Sequence, residues 1–387
     1  MLLDLPQIGL AGIIALVTLG VLVVLNIRAR LKALASGVRR AGRGEDSSRS
    51  LRQRLRELEG ELASVQHERD RLDDLTSASF RQSIRQYIRV VRAEHKLKDP
   101  HRSAALQLPH KLRNLEFAAS HGVGVPTAYQ VWPDIASIDL GALPETFVLK
   151  SDGGAGSVAV FPLQRLDDDR YGVIGGKAEY TESELLGHLR SLGRRARAPY
   201  FAEELLVAAD RAPLPDDVKC YMFYGEVGQI LVRKVGEHGD PSTIRLKFVN
   251  EQGKDYGPVA VGRTHDETIQ VPNSLPEIST AAKHLSRAIG LPFCRVDLYN
   301  TSRGIVLGEI TRAPSGGNEY FVEDHDEMLG WQWVRASARL EVDLNSGRPA
   351  GPVFGTAADL RLYPPSDDPL SPANFGRTTV DCTQWCE

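Results

Sequence analysis

The sequence predicts an α+β protein in which a mixed domain of strands and helices follows a single transmembrane helix and a short coiled-coil stalk. Three observations support this fold class: an apolar run over residues 8–25, leucines at heptad spacing after Leu51, and short strands that alternate with helices and glycine turns from about Leu108. We expect five segments: a membrane anchor (1–30), a basic juxtamembrane segment and stalk (31–78), a helical lead-in (79–145), a catalytic-type core (146–345) and a Pro/Ser/Asp-rich tail (346–387).

The overall composition excludes several classes of protein. The chain has 387 residues, of which 42% are hydrophobic, so a mainly disordered state is excluded. Its 47 Lys and Arg residues against 50 Asp and Glu residues give a net charge of −3, which argues against a polybasic protein that binds nucleic acid. Four cysteines, Cys220, Cys294, Cys382 and Cys386, are too few for a disulfide scaffold, and no His or Cys pair stands near them at zinc-ligand spacing.

The anchor is the first element in the chain. Residues 8–25 are apolar apart from Thr18, and at about 1.5 Å per residue they cross most of a hydrocarbon core of about 30 Å. Six basic residues and no acidic one lie between Arg28 and Gly44, so the positive-inside rule places the following domain in the cytoplasm. A cleaved secretory signal is the alternative, but Asp4 and the absence of Lys or Arg before the run argue against it. We therefore expect a single-pass protein of the cell membrane.

Two helical segments are expected between the anchor and the domain. In the first, apolar residues recur in alternating steps of four and three, at Leu51, Leu55, Leu58, Leu62, Val65 and Leu72. This pattern predicts a coiled-coil stalk that would form a homo-oligomer, or a monomeric charged helix that acts as a spacer. In the second, an apolar stripe that begins at Phe80 runs beside a row of basic residues, so this helix would contact an anionic surface or substrate, or present a solvated face.

A glycine-rich loop follows the first strand of the core. Residues 146–150 read as a strand that ends in Lys150, residues 151–157 (SDGGAGS) as a loop, and residues 158–162 as a returning strand. Because the lysine precedes the glycines and no helix follows them, neither a Walker A motif nor a dinucleotide fingerprint is indicated. The pattern indicates a hairpin with a flexible tip that closes over a nucleoside triphosphate, or an ordinary turn rich in Gly and Asp.

Two acidic residues are expected to face one another across a later hairpin. In the segment CRVDLYN, Arg295, Asp297 and Tyr299 share one face, and the returning strand carries Glu309 and Thr311 on one face. A turn over residues 300–304 places Asp297 and Glu309 on the same side of the sheet, within reach of a shared cation. Mg²⁺ carried by a phosphate chain fits this pair; a salt bridge between Arg295 and Glu309 is the alternative.

Two segments between these hairpins add further charged residues. Glu203 and Glu204 end an aromatic strand, and Lys219 projects from a strand opposite its apolar neighbours. A second lysine aimed at phosphate would neutralise charge during phosphoryl transfer, although each position taken singly also fits an ordinary surface. The tail beyond residue 351 is expected to be loosely packed, with no role for Cys382 or Cys386.

The order of these elements resembles that of the ATP-grasp superfamily. The segments LPETFVLKSDGGAGS, FAEELL, DVKCYMFYGE and RVDLYN…GEITRAPSGG look more narrowly like the TupA-like ATP-grasp proteins, named for teichuronopeptide synthesis, over about residues 108–340. The resemblance implies an ATP-grasp fold of antiparallel sheets with packed helices, in which residues 79–145 contain the N-terminal subdomain. It also implies ATP and Mg²⁺ as cofactors.

The resemblance further implies roles for individual residues. The nucleotide would be held by Lys150, Gly153, Gly154, Gly156, Ser157, Glu203, Glu204, Leu206 and Lys219. The Mg²⁺ ligands would be Asp297, Glu309 and Thr311, although the superfamily usually has Asn at the last position. Arg295 would stabilise the transferred phosphoryl group together with Lys219, and Arg312 would face the acceptor.

These residues suggest a membrane-anchored ligase as the leading hypothesis. A substrate carboxylate would attack the γ-phosphate of ATP to give an acyl phosphate, and an amine would then displace phosphate. Such chemistry needs positioning and electrostatic stabilisation more than a protein nucleophile. An anchored enzyme with access to cytoplasmic ATP would suit the synthesis of an envelope polysaccharide or a teichuronopeptide-like polymer. The alternatives are a kinase acting on a sugar or other hydroxyl acceptor, and a membrane scaffold that binds nucleotide without turnover.

Overall fold

The structure, a computed structural model, describes residues 53–54, 56–67, 77–97, 103–154, 158–209, 215–382 and 384–386. The chain divides into two compact units, Met1–Ser77 and Ala78–Glu387. In the first unit the described residues up to 67 are helical, and Leu58, Leu62 and Val65 of the expected stalk lie on this helix. The other three heptad positions lie outside the described residues, so the coiled coil and its homo-oligomer stay predictions.

The expected membrane anchor is not supported. Across the part of the chain that the structure describes, every helix is too short or too polar to cross a bilayer. The expected spanning segment itself, residues 8–25, lies outside the described residues. The fold-class prediction is therefore corrected: the structure supports the α+β domain of antiparallel sheets and packed helices, and no transmembrane helix is among the helices that it describes. The membrane location, which rested on that helix, is withdrawn with it.

Helices and strands alternate along the second unit. The helices are α1 (Phe80–Glu94), α2 (Ala104–Gln107), α3 (Lys111–Ser120), α4 (Glu182–Leu192), α5 (Leu275–Ile289) and α6 (Glu323–Asn345). The strands are β1 (Ala128–Trp132), β2 (Thr146–Gly153), β3 (Val160–Arg165), β4 (Arg170–Val173), β5 (Glu179–Thr181), β6 (Arg197–Glu203), β7 (Asp217–Phe223), β8 (Glu226–Val235), β9 (Ile244–Val249), β10 (Cys294–Thr301), β11 (Gly304–Thr311), β12 (Val353–Phe354) and β13 (Thr378–Thr379).

The first sheet is antiparallel and contains the hairpin around the glycine loop. Its strand order is β1-β6-β2-β3-β4-β5, and β2 pairs with β3 such that Lys150 lies opposite Val160. Alternate residues of β2, among them Phe147 and Leu149, are fully buried in a core against which α4 packs Leu185. Because side chains alternate along a strand, Lys150 lies on the face opposite Phe147 and Leu149, and there it lines a cleft.

The second sheet is also antiparallel, with strand order β11-β10-β7-β8-β9. The turn between β7 and β8 needs positive φ at both central residues, Tyr224 (45°) and Gly225 (89°), which is typical of a tight two-residue hairpin. One face of the sheet is covered by α5, which buries Ile278 and Leu285 and ends at Gly290 in the left-handed region. β10 lies between β11 and β7, so residues of three strands align across it.

The C-terminal tail is packed, contrary to the expectation from its composition. Phe354, Phe375 and Cys386 are buried. Arg377 forms an ion pair of 2.6 Å with the buried Glu116 of α3, and its guanidinium lies 5.1 Å from the centre of the Phe354 ring. Because buried ion pairs and ring contacts need specific partners, a Pro-rich and Ser-rich composition did not reveal them.

Candidate active site

A cleft is lined by residues of both sheets. Its larger part is a cavity of about 440 Å³ whose walls come from β2, β3 and β6 on one side and from β8 and β10 on the other. A smaller cavity of about 80 Å³ adjoins it, since the two share Lys150, Val160, Asp217 and Tyr299. The larger cavity falls within the range of about 300–1,000 Å³ that small-molecule sites occupy.

Three charged residues form a row across the second sheet. Asp297 of β10 pairs in register with Glu309 of β11 on one side and with Lys219 of β7 on the other. The structure therefore places Asp297 and Glu309 directly opposite one another. A β-bulge between Asp297 and Leu298 produces this pairing, since the register set by the turn between Thr301 and Gly304 would otherwise put Gly308 opposite Asp297. All three side chains line the smaller cavity.

Asp297 is the electrostatic centre of this row. Its carboxylate accepts from the Nζ of Lys219 at 2.5 Å and, through both oxygens, from the guanidinium of Arg295 at 2.7 and 2.8 Å. Burial by itself would raise the pKa of Asp297, but Arg295 and Lys219 hold that pKa below its ordinary value. Arg295 thus pairs with Asp297 and not with Glu309, which corrects the alternative that the sequence left open. The bidentate pairing fixes the guanidinium beside Asp297, and Arg295 itself lines neither cavity.

Glu309 differs from Asp297 because it is half-buried without a partner. Its carboxylate makes no hydrogen bond or ion pair with any other residue that the structure describes. Thr311 follows Glu309 on β11, lies opposite Arg295 of β10 and lines neither cavity. A carboxylate at the edge of a cavity that no direct ion pair engages suits a cation, so of the three expected Mg²⁺ ligands Glu309 and Asp297 are placed to act together.

Lys150 and Glu203 form a pair on the opposite wall. The Nζ of Lys150 donates to Oε1 of Glu203, and both side chains are largely buried. Glu204 also lines the larger cavity, but its Oε2 accepts from the backbone N–H of Thr127 at 3.1 Å and from Arg303 at 2.7 Å. Leu206 contributes an apolar wall to the larger cavity. Of the two adjacent glutamates, Glu203 is therefore the one whose carboxylate can exchange its lysine partner for a ligand.

The glycine hairpin is held at its base by a residue that the sequence did not suggest. Lys111, at the first position of α3, is buried and donates from Nζ to the carbonyls of Ser151 at 3.1 Å and Gly154 at 3.3 Å. Burial lowers the pKa of Lys111, while Glu309 and other carboxylates raise it. Gly153 ends β2 and Gly154 follows it, whereas Gly156 and Ser157 lie outside the described residues. No motif marks Lys111, because its contacts depend on how α3 docks.

Two further residues of the cleft were within reach of the sequence pattern. Asp217 accepts from the Nζ of Lys219 at 2.8 Å, and its position two residues earlier on β7 puts it on the same face. Tyr299 shares a face with Asp297 and lines both cavities.

Arg312, expected to face the acceptor, lines neither cavity and instead donates from Nη1 to the carbonyl of Ala105. The structure does not bring it to the cleft.

The charges of the smaller cavity are balanced. Its lining includes three lysines, Lys111, Lys150 and Lys219, and three carboxylates, Asp217, Asp297 and Glu309. A polyphosphate alone would place excess negative charge beside the carboxylates, whereas a polyphosphate that carries a divalent cation keeps the balance. The oxygen donors of Asp297 and Glu309 are those that Mg²⁺ prefers. The residues present therefore fit a Mg²⁺–polyphosphate ligand.

Comparisons with known proteins identify a family and several similar solved structures. The family model described as TupA-like ATPgrasp matches residues 94–334. Similar solved structures include D-alanine–D-alanine ligase from Bacillus anthracis (15% identity, 61% of this chain and 69% of that chain, TM-score 0.39) and from Helicobacter pylori (12%, 59% and 61%, TM-score 0.35). A RimK domain ATP-grasp protein from Sphaerobacter thermophilus matches at 13% identity over 60% and 69% of the chains, with a TM-score of 0.33. No curated protein sequence gave a significant match.

Proposed function

The chain belongs to the TupA-like ATP-grasp family, and from this premise we propose that it is an ATP- and Mg²⁺-dependent ligase that joins a carboxylate to an amine through an acyl phosphate. The observation that carries the proposal is the row of Lys219, Asp297 and Glu309 facing Lys150 across a cleft. Catalysis of phosphoryl transfer is mostly positioning and charge stabilisation, and this cleft supplies fixed charges for both.

We assign the two cavities to the two ends of the nucleotide. The larger cavity has apolar walls from Val148 and Leu206 and a carboxylate at Glu203, which suits an aromatic base and a ribose. The smaller cavity, with its three lysines, suits the phosphate chain. In this assignment Lys150, which lines both cavities, lies where the nucleoside meets the phosphates.

The proposed reaction has two steps. A carboxylate oxygen of the first substrate attacks the γ-phosphorus of ATP and ADP leaves, which gives an acyl phosphate. The amine nitrogen of the second substrate then attacks the carbonyl carbon, the carbon–oxygen bond to phosphate breaks, and the amide forms with loss of a proton and of phosphate. Arg295 and Lys219, both fixed by Asp297, stabilise negative charge on the transferred group.

Asp297 and Glu309 would hold Mg²⁺, which when bound neutralises phosphate charge and polarises the phosphoryl group. Tyr299, on the wall of both cavities, limits the space beside the row. The acceptor is left at its chemical class, a carboxylate and an amine, because Arg312 and the segment after it line neither cavity.

A carboxylate panel tests the proposal. The full chain is incubated with Mg²⁺, ATP and one candidate carboxylate at a time, with hydroxylamine in place of the amine. We expect ADP release that depends on one class of carboxylate and a hydroxamate product formed from the trapped acyl phosphate. Asp297→Asn should abolish both signals, and Asp168→Asn, on an exposed loop, should leave them unchanged. Phosphorylation of a hydroxyl acceptor without any hydroxamate would overturn the ligase assignment and favour a kinase.

A further inference from the structure

Two histidines and two cysteines converge at the end of α3, away from the cleft. His121 follows α3 directly, His284 lies in α5, and Cys382 and Cys386 lie among the last described residues of the tail. One ligand atom from each side chain lies within 4.8 Å of all the others. Cys386 is buried and the other three are half-buried. None of the four lines either cavity of the candidate active site.

His121 is oriented as a metal ligand would be. Its Nε2 lies 2.9 Å from the carbonyl oxygen of Val353, so this nitrogen carries the proton and donates it. The lone pair of Nδ1 consequently faces the cluster, where Nδ1 lies 2.9 Å from Nε2 of His284 and 3.4 Å from Sγ of Cys382. In metal sites a ligating histidine usually donates its other ring N–H to a carbonyl or carboxylate, which fixes the tautomer and the orientation of the ring.

The spacing of the ligand atoms suits a small tetrahedral ion. Zinc–nitrogen bonds of about 2.0–2.1 Å and zinc–sulfur bonds of about 2.3 Å place tetrahedral ligand atoms roughly 3.3 to 3.8 Å apart. The observed distances of 2.9 Å between nitrogens and 3.4 Å between nitrogen and sulfur need to open by only a few tenths of an ångström, and a pair at the cluster's upper limit of 4.8 Å would close by about 1 Å. Two imidazoles and two thiols form one of the donor sets found in closed structural zinc sites.

We propose that His121, His284, Cys382 and Cys386 bind one structural Zn²⁺ that fastens the C-terminal tail to the catalytic domain. Binding displaces the two thiol protons to solvent and leaves two thiolates and two neutral imidazoles on the metal, with no change of oxidation state. The metal can arrive from solvent, because His284 and Cys386 also line an open surface cavity.

The site would connect the tail to a helix that serves the cleft. The ligand His121 caps the helix whose first residue, Lys111, holds the base of the glycine hairpin. The sequence carried one signal that was missed, because Cys382 and Cys386 stand at the C-x3-C spacing of zinc ligands. The histidines gave none, since they are 163 residues apart and His121 is 261 residues from Cys382. Zinc-ligand spacings in a sequence identify only ligands that lie a few residues apart, so they do not bring distant histidines together with the cysteines.

The test is the metal content of the full chain purified without chelators. We expect one zinc per chain by elemental analysis, and we expect Co²⁺ substitution to produce the intense ligand-field and sulfur-to-metal charge-transfer absorption of a tetrahedral thiolate site. Cys386→Ser and His284→Asn should each lose most of the bound metal and lower the Tm. Cys294→Ala is the matched control, because this cysteine is buried outside the cluster, and it should keep the metal.

Three results would overturn the proposal. The first is substoichiometric zinc that does not rise when zinc is added during expression. The second is equal metal loss from Cys294→Ala and Cys386→Ser. The third is a disulfide between Cys382 and Cys386 in the native protein, found by peptide mapping without reductant. The Co²⁺ spectrum of the unsubstituted chain decides the matter even where a variant fails to fold, and none of these measurements depends on ATP or on ligase activity.

Discussion

Glu309 and Asp297 are neighbours in register, yet the structure predicts losses of stability of very different size when each carboxylate is replaced by its amide. Glu309 has no hydrogen bond or ion pair with a described residue, so Glu309→Gln should change the free energy of unfolding by less than about 1 kcal/mol. Asp297 is buried and pairs with Lys219 and Arg295, and removing one partner of a buried pair costs about 3–5 kcal/mol. Lys219 keeps Asp217 as a partner, so the lower end of that range is expected for Asp297→Asn.

The two substitutions should nevertheless weaken Mg²⁺ binding alike. Loss of a residue that only supports a metal ligand costs about 10–100-fold in affinity, so loss of a direct ligand should reach at least the upper end. A 100-fold loss corresponds to about 2.7 kcal/mol. For Glu309→Gln this loss appears entirely in metal binding and not in folding.

Urea unfolding and calorimetry separate these effects. Unfolding curves without ligand give the change in the free energy of unfolding. Titration of a non-hydrolysable ATP analogue at several Mg²⁺ concentrations gives the change in Mg²⁺ affinity. The reasoning is refuted if Glu309→Gln destabilises the free protein as much as Asp297→Asn does, or if the Mg²⁺ dependence of nucleotide binding is the same in Glu309→Gln and the unsubstituted chain.

Three further predictions concern the opposite wall, the glycine hairpin and a buried histidine. Lys150→Met should raise the KM for ATP at least tenfold and destabilise the fold, because it leaves the buried Glu203 without its ion-pair partner. Adding Glu203→Gln should restore the Tm but not the KM. Recovery of both quantities would contradict a role for Lys150 in binding phosphate. Gly154→Ala would place a Cβ 2.7 Å from the carbonyl oxygen of Arg195 and should cost about 1–3 kcal/mol, whereas Gly187→Ala on α4, whose Cβ meets nothing, should be neutral or stabilising by thermal unfolding. Burial lowers the pKa of His325 to about 4, so as the pH drops from about 6.5 towards 4 the unfolded chain binds the proton first and the free energy of unfolding falls. Urea unfolding at pH 7 and at pH 5 should show that this group costs about 2 kcal/mol of stability at the lower pH, and His325→Gln should remove that loss. The same pH dependence of stability in His325→Gln and in the unsubstituted chain would contradict the assignment.

The strand alternation made the acidic hairpin accessible to sequence reasoning. A turn over residues 300–304 puts Asp297 and Glu309 on one face by period two. In the structure the turn closes between Thr301 and Gly304, and a β-bulge between Asp297 and Leu298 restores the pairing of Asp297 with Glu309. The strand alternation did not reveal this bulge. The partner of Arg295 did not follow, because Asp297 lies on the same face of the same strand and a flexible side chain can reach either carboxylate.

Features that depend on docking between distant elements were missed. The contacts of Lys111 require α3 to sit against the base of β2, and the cluster around Cys386 requires the tail to return to α3 and α5. The expected acceptor role of Arg312 rested on the family resemblance alone. In the structure its guanidinium donates to the backbone carbonyl of Ala105 in α2. Local patterns carry no information on such long-range docking.

Oxygen-18 transfer tests the central claim most directly. Once the carboxylate panel has identified a substrate, that carboxylate is labelled with oxygen-18 and turned over with ATP, Mg²⁺ and an amine. The acyl-phosphate mechanism predicts that one labelled oxygen appears in the released phosphate, because the carbon–oxygen bond to phosphate breaks in the second step. Turnover that leaves the released phosphate unlabelled would contradict the mechanism.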